Sequence, residues 1–182
     1  LKKIYSILLF IIIVALVGYS FYYFNQYQIK NNKEDIQKAI DTWFNRETDP
    51  LQAVVLEKVQ LGDSSSYIVL LQTDKNEMGY AHLIKGWNGR YKIEHSSYGT
   101  NLVSYDVINT NKGIFGIIVG ENPELKIDHI KVDLTKSSYR FTTNVVKREK
   151  FIAYKKLPED AKKGSRFAEL ILYDKNGKTL EW

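Results

Sequence analysis

The chain has 182 residues, a formal net charge of +5, no cysteine and 44% hydrophobic residues. That apolar content supports a packed core and excludes a wholly disordered chain, while the lack of cysteine excludes a disulfide framework and a lipid-modified N-terminal cysteine. The charge is uneven: Lys30 to Tyr139 carries 13 basic and 15 acidic residues, whereas Arg140 to Trp182 carries 11 basic and 6 acidic.

In chain order, residues 1–3 bring the pair Lys2-Lys3, and the uncharged stretch Ile4–Phe24 follows. Its length as a helix is about 31 Å, close to the hydrocarbon thickness of a bilayer. A soluble helix of that length needs a polar stripe. Here Ile7, Leu8, Leu9, Phe10, Ile11, Ile12, Ile13 and Val14 cover every face. Tyr19, Phe21, Tyr22, Tyr23, Phe24 and Tyr27 then supply the aromatic belt expected at headgroup level. The reading is a transmembrane anchor over 4–24 with the lipid bilayer as its partner, a cytoplasmic N-terminus at 1–3, a juxtamembrane neck at 25–33, and an exported remainder. Gly18-Tyr19-Ser20 offers the small residues of a signal-peptide cut, but the apolar run outlasts the roughly 7–15 residues of such peptides. An uncleaved single-pass anchor is therefore expected.

Residues 34–100 read as one helix followed by a β-meander. Asn32 is placed to cap the helix, with Glu34 and Asp35 in its first turn, and Ile36, Ala39, Ile40, Trp43 and Phe44 form one apolar stripe. Asp49-Pro50 is expected to end it. Four β-branched and aromatic runs follow at 53–61, 66–72, 79–85 and 90–97, divided by turn residues. Asn88-Gly89 predicts a two-residue type I′ turn. Helix then four-strand meander resembles, in layout, the cystatin-like and nuclear-transport-factor-like folds.

Residues 101–182 carry further strands at 102–109, 114–119, 125–134, 139–146, 151–156, 167–173 and 179–182. Alternation slips phase between Ile127 and Ile130, which predicts a bulge near Asp128-His129. The charged segment Pro158 to Arg166 is expected to be a mobile loop. Regularly spaced short strands indicate a β-sandwich-like half. The fold class expected is thus α+β, mainly antiparallel.

Functional signals are sparse. A two-residue turn at Asn88-Gly89 makes partners sum to 177, so His82 faces His95 with Cβ atoms about 5 Å apart. That face is expected to carry Tyr80, Ile84, Tyr91 and Ile93 as well. Such a pair can share a metal ion or resist double protonation, yet a metal site requires a third ligand, which His129 would have to bring. Filling of a sheet face is the simpler reading of the two imidazoles. Trp87, before the turn, is a candidate anchor for a partner, or packs beneath the turn. Asp174-Lys175-Asn176-Gly177 opens like a calcium loop but lacks the later bidentate acid and reads as a hairpin turn. Glu121 and Glu124 flank Pro123 as solvated turn residues. No nucleophile elbow, phosphate-binding glycine loop or His-Glu-x-x-His helix occurs, and no catalytic residue, cofactor or metal is assigned.

The combined expectation is a non-enzymatic, membrane-tethered binding or assembly module on the outer side of a bacterial cell membrane, with a protein partner. The missing Asn-x-Ser/Thr sequon and the Lys, Ile, Asn and Tyr usage fit a bacterial envelope. The basic C-terminal third suits weak contact with an anionic membrane or cell-wall polymer, and an exported location excludes nucleic acid. Two alternatives stand beside this. The order anchor, helix, meander resembles the bitopic subunits of type IV secretion and conjugation machines, which implies a secretion assembly. The His82/His95 face suggests a ligand, metal or pH sensor.

Overall fold

The computed structural model describes residues 2–46, 51–164 and 166–181. Two α-helices, α1 (Lys2–Gln26) and α2 (Lys33–Phe44), precede eleven strands: β1 (Ala53–Gln60), β2 (Ser66–Thr73), β3 (Met78–Lys85), β4 (Tyr91–Gly99), β5 (Val103–Thr110), β6 (Gly113–Glu121), β7 (His129–Leu134), β8 (Arg140–Asn144), β9 (Lys150–Leu157), β10 (Ala168–Tyr173) and β11 (Thr179–Leu180). Every strand pairing is antiparallel. The fold is α+β, as expected.

α2 forms where the apolar stripe required it. The Asn32 side-chain oxygen accepts from the Asp35 amide at 2.8 Å, satisfying one of the open donors at the helix start. Ile36, Ile40 and Phe44 are buried along one face. The helix stops at Phe44, with Asn45 as its C-cap, so the end comes earlier than the proline predicted. Asp49-Pro50 itself lies outside the described residues. On α2, the Trp43 indole N–H donates to Ser96 Oγ at 3.0 Å and ties the helix to β4.

The strands make three stacked sheets. The first is the meander β1-β2-β3-β4, the middle sheet is β5-β6-β9, and the third is β11-β10-β7-β8. Side-chain alternation on each strand decides what faces what. Val69, Leu71, Ala81 and Leu83 turn up to Ile36, Ile40 and Phe44 of α2. Ile68, Leu70, Met78 and Tyr80 turn down to Phe115, Ile117 and Val119 of β6. On the far side of β6, Ile114 and Ile118 meet Ile130, Val132 and Leu134 of β7. The near-unbroken apolar run in β6 follows, since the middle sheet is buried on both faces. The core between the first and middle sheets draws on both halves of the chain: Leu61 and Ile68 share it with Ile108 and Ile152.

Two local expectations change. The predicted strand 125–134 begins only at His129, because Pro123–Leu125 forms a 3-10 turn with Glu124 and Leu125 at φ of 56°. Asn122 is fully buried, and its side chain accepts from the Ile127 amide at 2.7 Å and donates to the Ile127 carbonyl at 2.9 Å. That clamp turns the chain and accounts for the phase slip, with no bulge in the strand. Glu121 accordingly ends β6, leaving only Glu124 within the turn. The second change is at Pro158 to Arg166, where Glu159–Gly164 is a 3-10 helix and Ala161 is buried in the core between the middle and third sheets. One small apolar residue among charges is enough to seat it. At the last hairpin, Asp174 Oδ1 accepts from the amides of Asn176 and Lys178, each at 2.8 Å, and Gly177 has a φ of 78°. This is the expected turn.

Candidate functional site: the β3–β4 hairpin

The hairpin closes by a route different from the one predicted. The Gly86 amide donates to the Arg90 carbonyl at 2.8 Å and the Gly89 amide to the Gly86 carbonyl at 3.0 Å, so the loop is the three residues Trp87, Asn88 and Gly89. Gly89 alone in the loop has positive φ, at 75°. This is the three-residue hairpin loop that ends in a left-handed glycine, in place of a type I′ turn. Asn88 is engaged elsewhere: its side-chain oxygen accepts from the Arg90 amide at 3.1 Å, and its amide group donates to the Tyr27 carbonyl at 3.2 Å.

The three-residue loop shifts the register by one, pairing Leu83 with Ile93 and Lys85 with Tyr91. A β-bulge then restores it, and His82 pairs with His95 as predicted. Below the bulge the predicted face is inverted. Tyr91 and Ile93 join Leu83 under α2, while His82 stays on the face that Tyr80 turns toward the middle sheet.

His82 is 3% exposed, and neither ring nitrogen has a hydrogen-bond partner. Its ring lies 5.2 Å from that of His95 at 72°. Burial disfavours the imidazolium and pulls its pKa down to about 4; a positive charge on His95 acts in the same direction and Glu94 opposes it. His82 is therefore neutral at physiological pH. His95 is only half-buried and faces a different set of groups. Its Nε2 lies 3.2 Å from the Tyr80 hydroxyl, which donates to Asp106 Oδ2 at 2.5 Å. A phenol has one proton, so Nε2 of His95 must carry the proton that Tyr80 accepts. Burial, reinforced by Asp106, raises the Tyr80 pKa far above the usual phenol range and keeps it a neutral donor. The result is a relay from β4 through β3 to β5.

A cleft of about 400 Å³ opens beside this relay, and Tyr80, Asp106 and Tyr105 are among its lining residues, though neither histidine is. Tyr105, on β5, also has a buried hydroxyl without a partner. The third metal ligand considered at this face does not arrive. His129 lies in the third sheet, stacked on Tyr173 at 4.9 Å and paired with Asp128 at 2.9 Å. Among the described residues no group of three His, Cys, Asp or Glu side chains is placed to hold a metal ion. Asp106 is the residue that sequence reading missed. It sits in an alternating strand with no signal of its own, and only sheet stacking brings it to Tyr80.

Trp87 lies at the loop tip, 70% exposed. Its ring stacks on Tyr23 of α1 at 4.7 Å and meets Phe24 edge-on at 5.5 Å. It is thus both exposed and packed, against the N-terminal apolar helix. No family model matches the chain, and no match was found among curated proteins or solved structures. Geometry alone therefore carries the functional reading.

Proposed function

We propose that the chain is a single-pass membrane protein of a bacterial envelope. α1 crosses the bilayer with Lys2 and Lys3 on the cytoplasmic side, and the three-sheet body stands outside as a non-enzymatic binding or assembly module. One observation carries the reading: α1 is apolar on every face and exposed from Lys3 to Tyr22, while the body it joins already has complete cores. An exposed apolar helix of this length requires a nonaqueous surrounding. For the module, β4 offers the chemistry. It is an edge strand of the first sheet, and a bridge to Ile29 occupies it at Tyr91. The edge beyond is suited to an added strand from a protein partner, in a secretion assembly or another envelope complex.

The test uses the absence of cysteine. A single cysteine at Asp63 or Lys175 should react with a membrane-impermeant maleimide in intact cells. Labelling only after permeabilisation would sink the topology. Cross-linking from a photoreactive residue at Glu94 in intact cells should trap a defined protein, and an adduct-free result would remove β4 as a docking edge.

The orphaned nitrogens of His82 favour a second reading, an acid-responsive body. Protonation of a buried imidazole that has no acceptor would loosen the packing between the first two sheets. Proton exchange at the imidazole followed by nuclear magnetic resonance tests it. Two independent titrations near the ordinary histidine value would exclude a coupled, buried pair.

A further inference from the structure

We propose that the β3–β4 loop is a second membrane contact: Trp87 inserts at headgroup level beside α1 and fixes the body's orientation on the bilayer. This rests on the reading of α1 as a membrane span.

Depth is the first argument. About twenty helical residues cover the roughly 30 Å of hydrocarbon, so a span that begins at Ile4 reaches the outer boundary near Tyr23 and Phe24. Those are the two rings that Trp87 touches. An indole whose ring stacks on a boundary tyrosine occupies the boundary itself. Tryptophan favours that depth because its ring is apolar while its N–H retains a polar partner.

The second argument is that little freedom remains between helix and hairpin. The Trp87 amide donates to the Tyr23 hydroxyl at 2.7 Å. Asn88 reaches the Tyr27 carbonyl, and Ile29 and Tyr91 exchange two backbone bonds of 3.1 and 2.8 Å. Gly86 makes this fit possible, since a Cβ there would run into the Tyr23 hydroxyl and the Tyr27 ring. The juxtamembrane neck is thus docked on the hairpin at Tyr27 and Ile29. With the helix in lipid, the loop has no other height to occupy.

Charge supplies the third argument. Arg90 is exposed next to the loop. A groove of about 510 Å³ begins at Asn25 and Gln26, just past the boundary; its lining includes Lys38 and Arg46 against Asp35, and Lys92, which is paired with Glu94 at 2.5 Å. Cations at that level face lipid phosphates, and the attraction grows with anionic lipid.

The experiment uses the full chain in vesicles of phosphatidylcholine with a minority of phosphatidylglycerol. Part of the phosphatidylcholine is brominated near the headgroup end of its acyl chains. Wild type should lose tryptophan emission on bromination, and that loss should vanish in Trp87→Phe. A second probe leaves Trp87 in place: a spin label at Arg90→Cys should be relaxed more by dissolved oxygen than by an aqueous nickel chelate, with Lys175→Cys showing the reverse. Equal quenching of wild type and Trp87→Phe, together with acrylamide access to Trp87, would overturn the proposal. Shielding from both quenchers would also overturn it, and would assign the loop to a protein contact. Alkaline carbonate extraction separates the two readings. Release of the chain from the vesicles defeats the anchor, whereas retention with an unquenched Trp87 defeats only the loop contact.

Discussion

The two faces of β3 are built from the same strand and differ in kind. Toward α2 it presents Ala81 and Leu83, fully buried among apolar neighbours. Toward the middle sheet it presents Tyr80 and His82, equally buried but carrying a phenol and an imidazole. The first face needs only volume and shape. The second needs a partner for every polar atom, and it has one at Tyr80 and none at His82. Burial alone, then, does not make a face featureless. What distinguishes the lower face is its dependence on protonation state and on one residue, Asp106, from another sheet.

Five substitutions, measured on the full chain in detergent micelles by denaturant unfolding, would break or sharpen that contrast. Leu83→Ala on the apolar face should cost about 2–5 kcal/mol, through lost transfer energy and the cavity left behind. A cost below that of the polar-face change at Tyr80 would reverse the ranking of the two faces. Acid should act only on the polar face. His82 has a folded pKa of about 4 against 6.5 for a free imidazole, so as pH falls the unfolded chain takes its proton first. Stability is therefore fully present above pH ~6.5 and declines toward pH ~4, by on the order of 3 kcal/mol. His95, Glu94 and Lys92 are the charged neighbours that modulate it. His82→Leu should flatten the decline, and an equally steep curve in the variant would acquit His82.

Smaller effects come next. Tyr80→Phe removes the donor to Asp106 and the acceptor for His95, at a cost of about 2 kcal/mol. The loss should shrink when Asp106→Asn is already present, because the two changes share one bond. Asn32→Ala lies outside both faces and deletes the α2 cap, for about 1 kcal/mol. Its effect should add to that of Tyr80→Phe without coupling, and coupling would show that α2 senses the lower face.

Much of the layout was legible in the sequence. Apolar periodicity located α2, β-branched runs located most strands within a residue or two, with β7 starting four residues later than expected, and the His82–His95 pair was foreseen. That last success came by the wrong route. The loop is one residue longer than Asn88-Gly89 implied, and the bulge compensates, so the histidines pair while Tyr91 and Ile93 change faces. Local signals do not encode such compensation, because it is decided by which face α2 covers. The Asp106 partner was illegible for a related reason: contacts between sheets depend on stacking order. Asn122 and Ala161 were missed because a polar residue beside proline and an alanine among lysines look solvated. Their burial comes from the chain's path. Trp87 was placed before the turn, whereas the longer loop takes it in, and its position against Tyr23 required knowing where α1 ends.

The middle sheet also has a consequence in time. Synthesis runs from the N-terminus, and the first sheet leaves the ribosome as a finished meander with Ile68, Leu70 and Met78 on an uncovered face. β6 must follow before that face has a lid, and Ile152 of β9 comes later still. Throughout that interval the nascent chain carries an apolar surface open to wrong association, of the kind that chaperones shield. The order of strands thus sets a period of vulnerability that ends only when β9 joins the middle sheet.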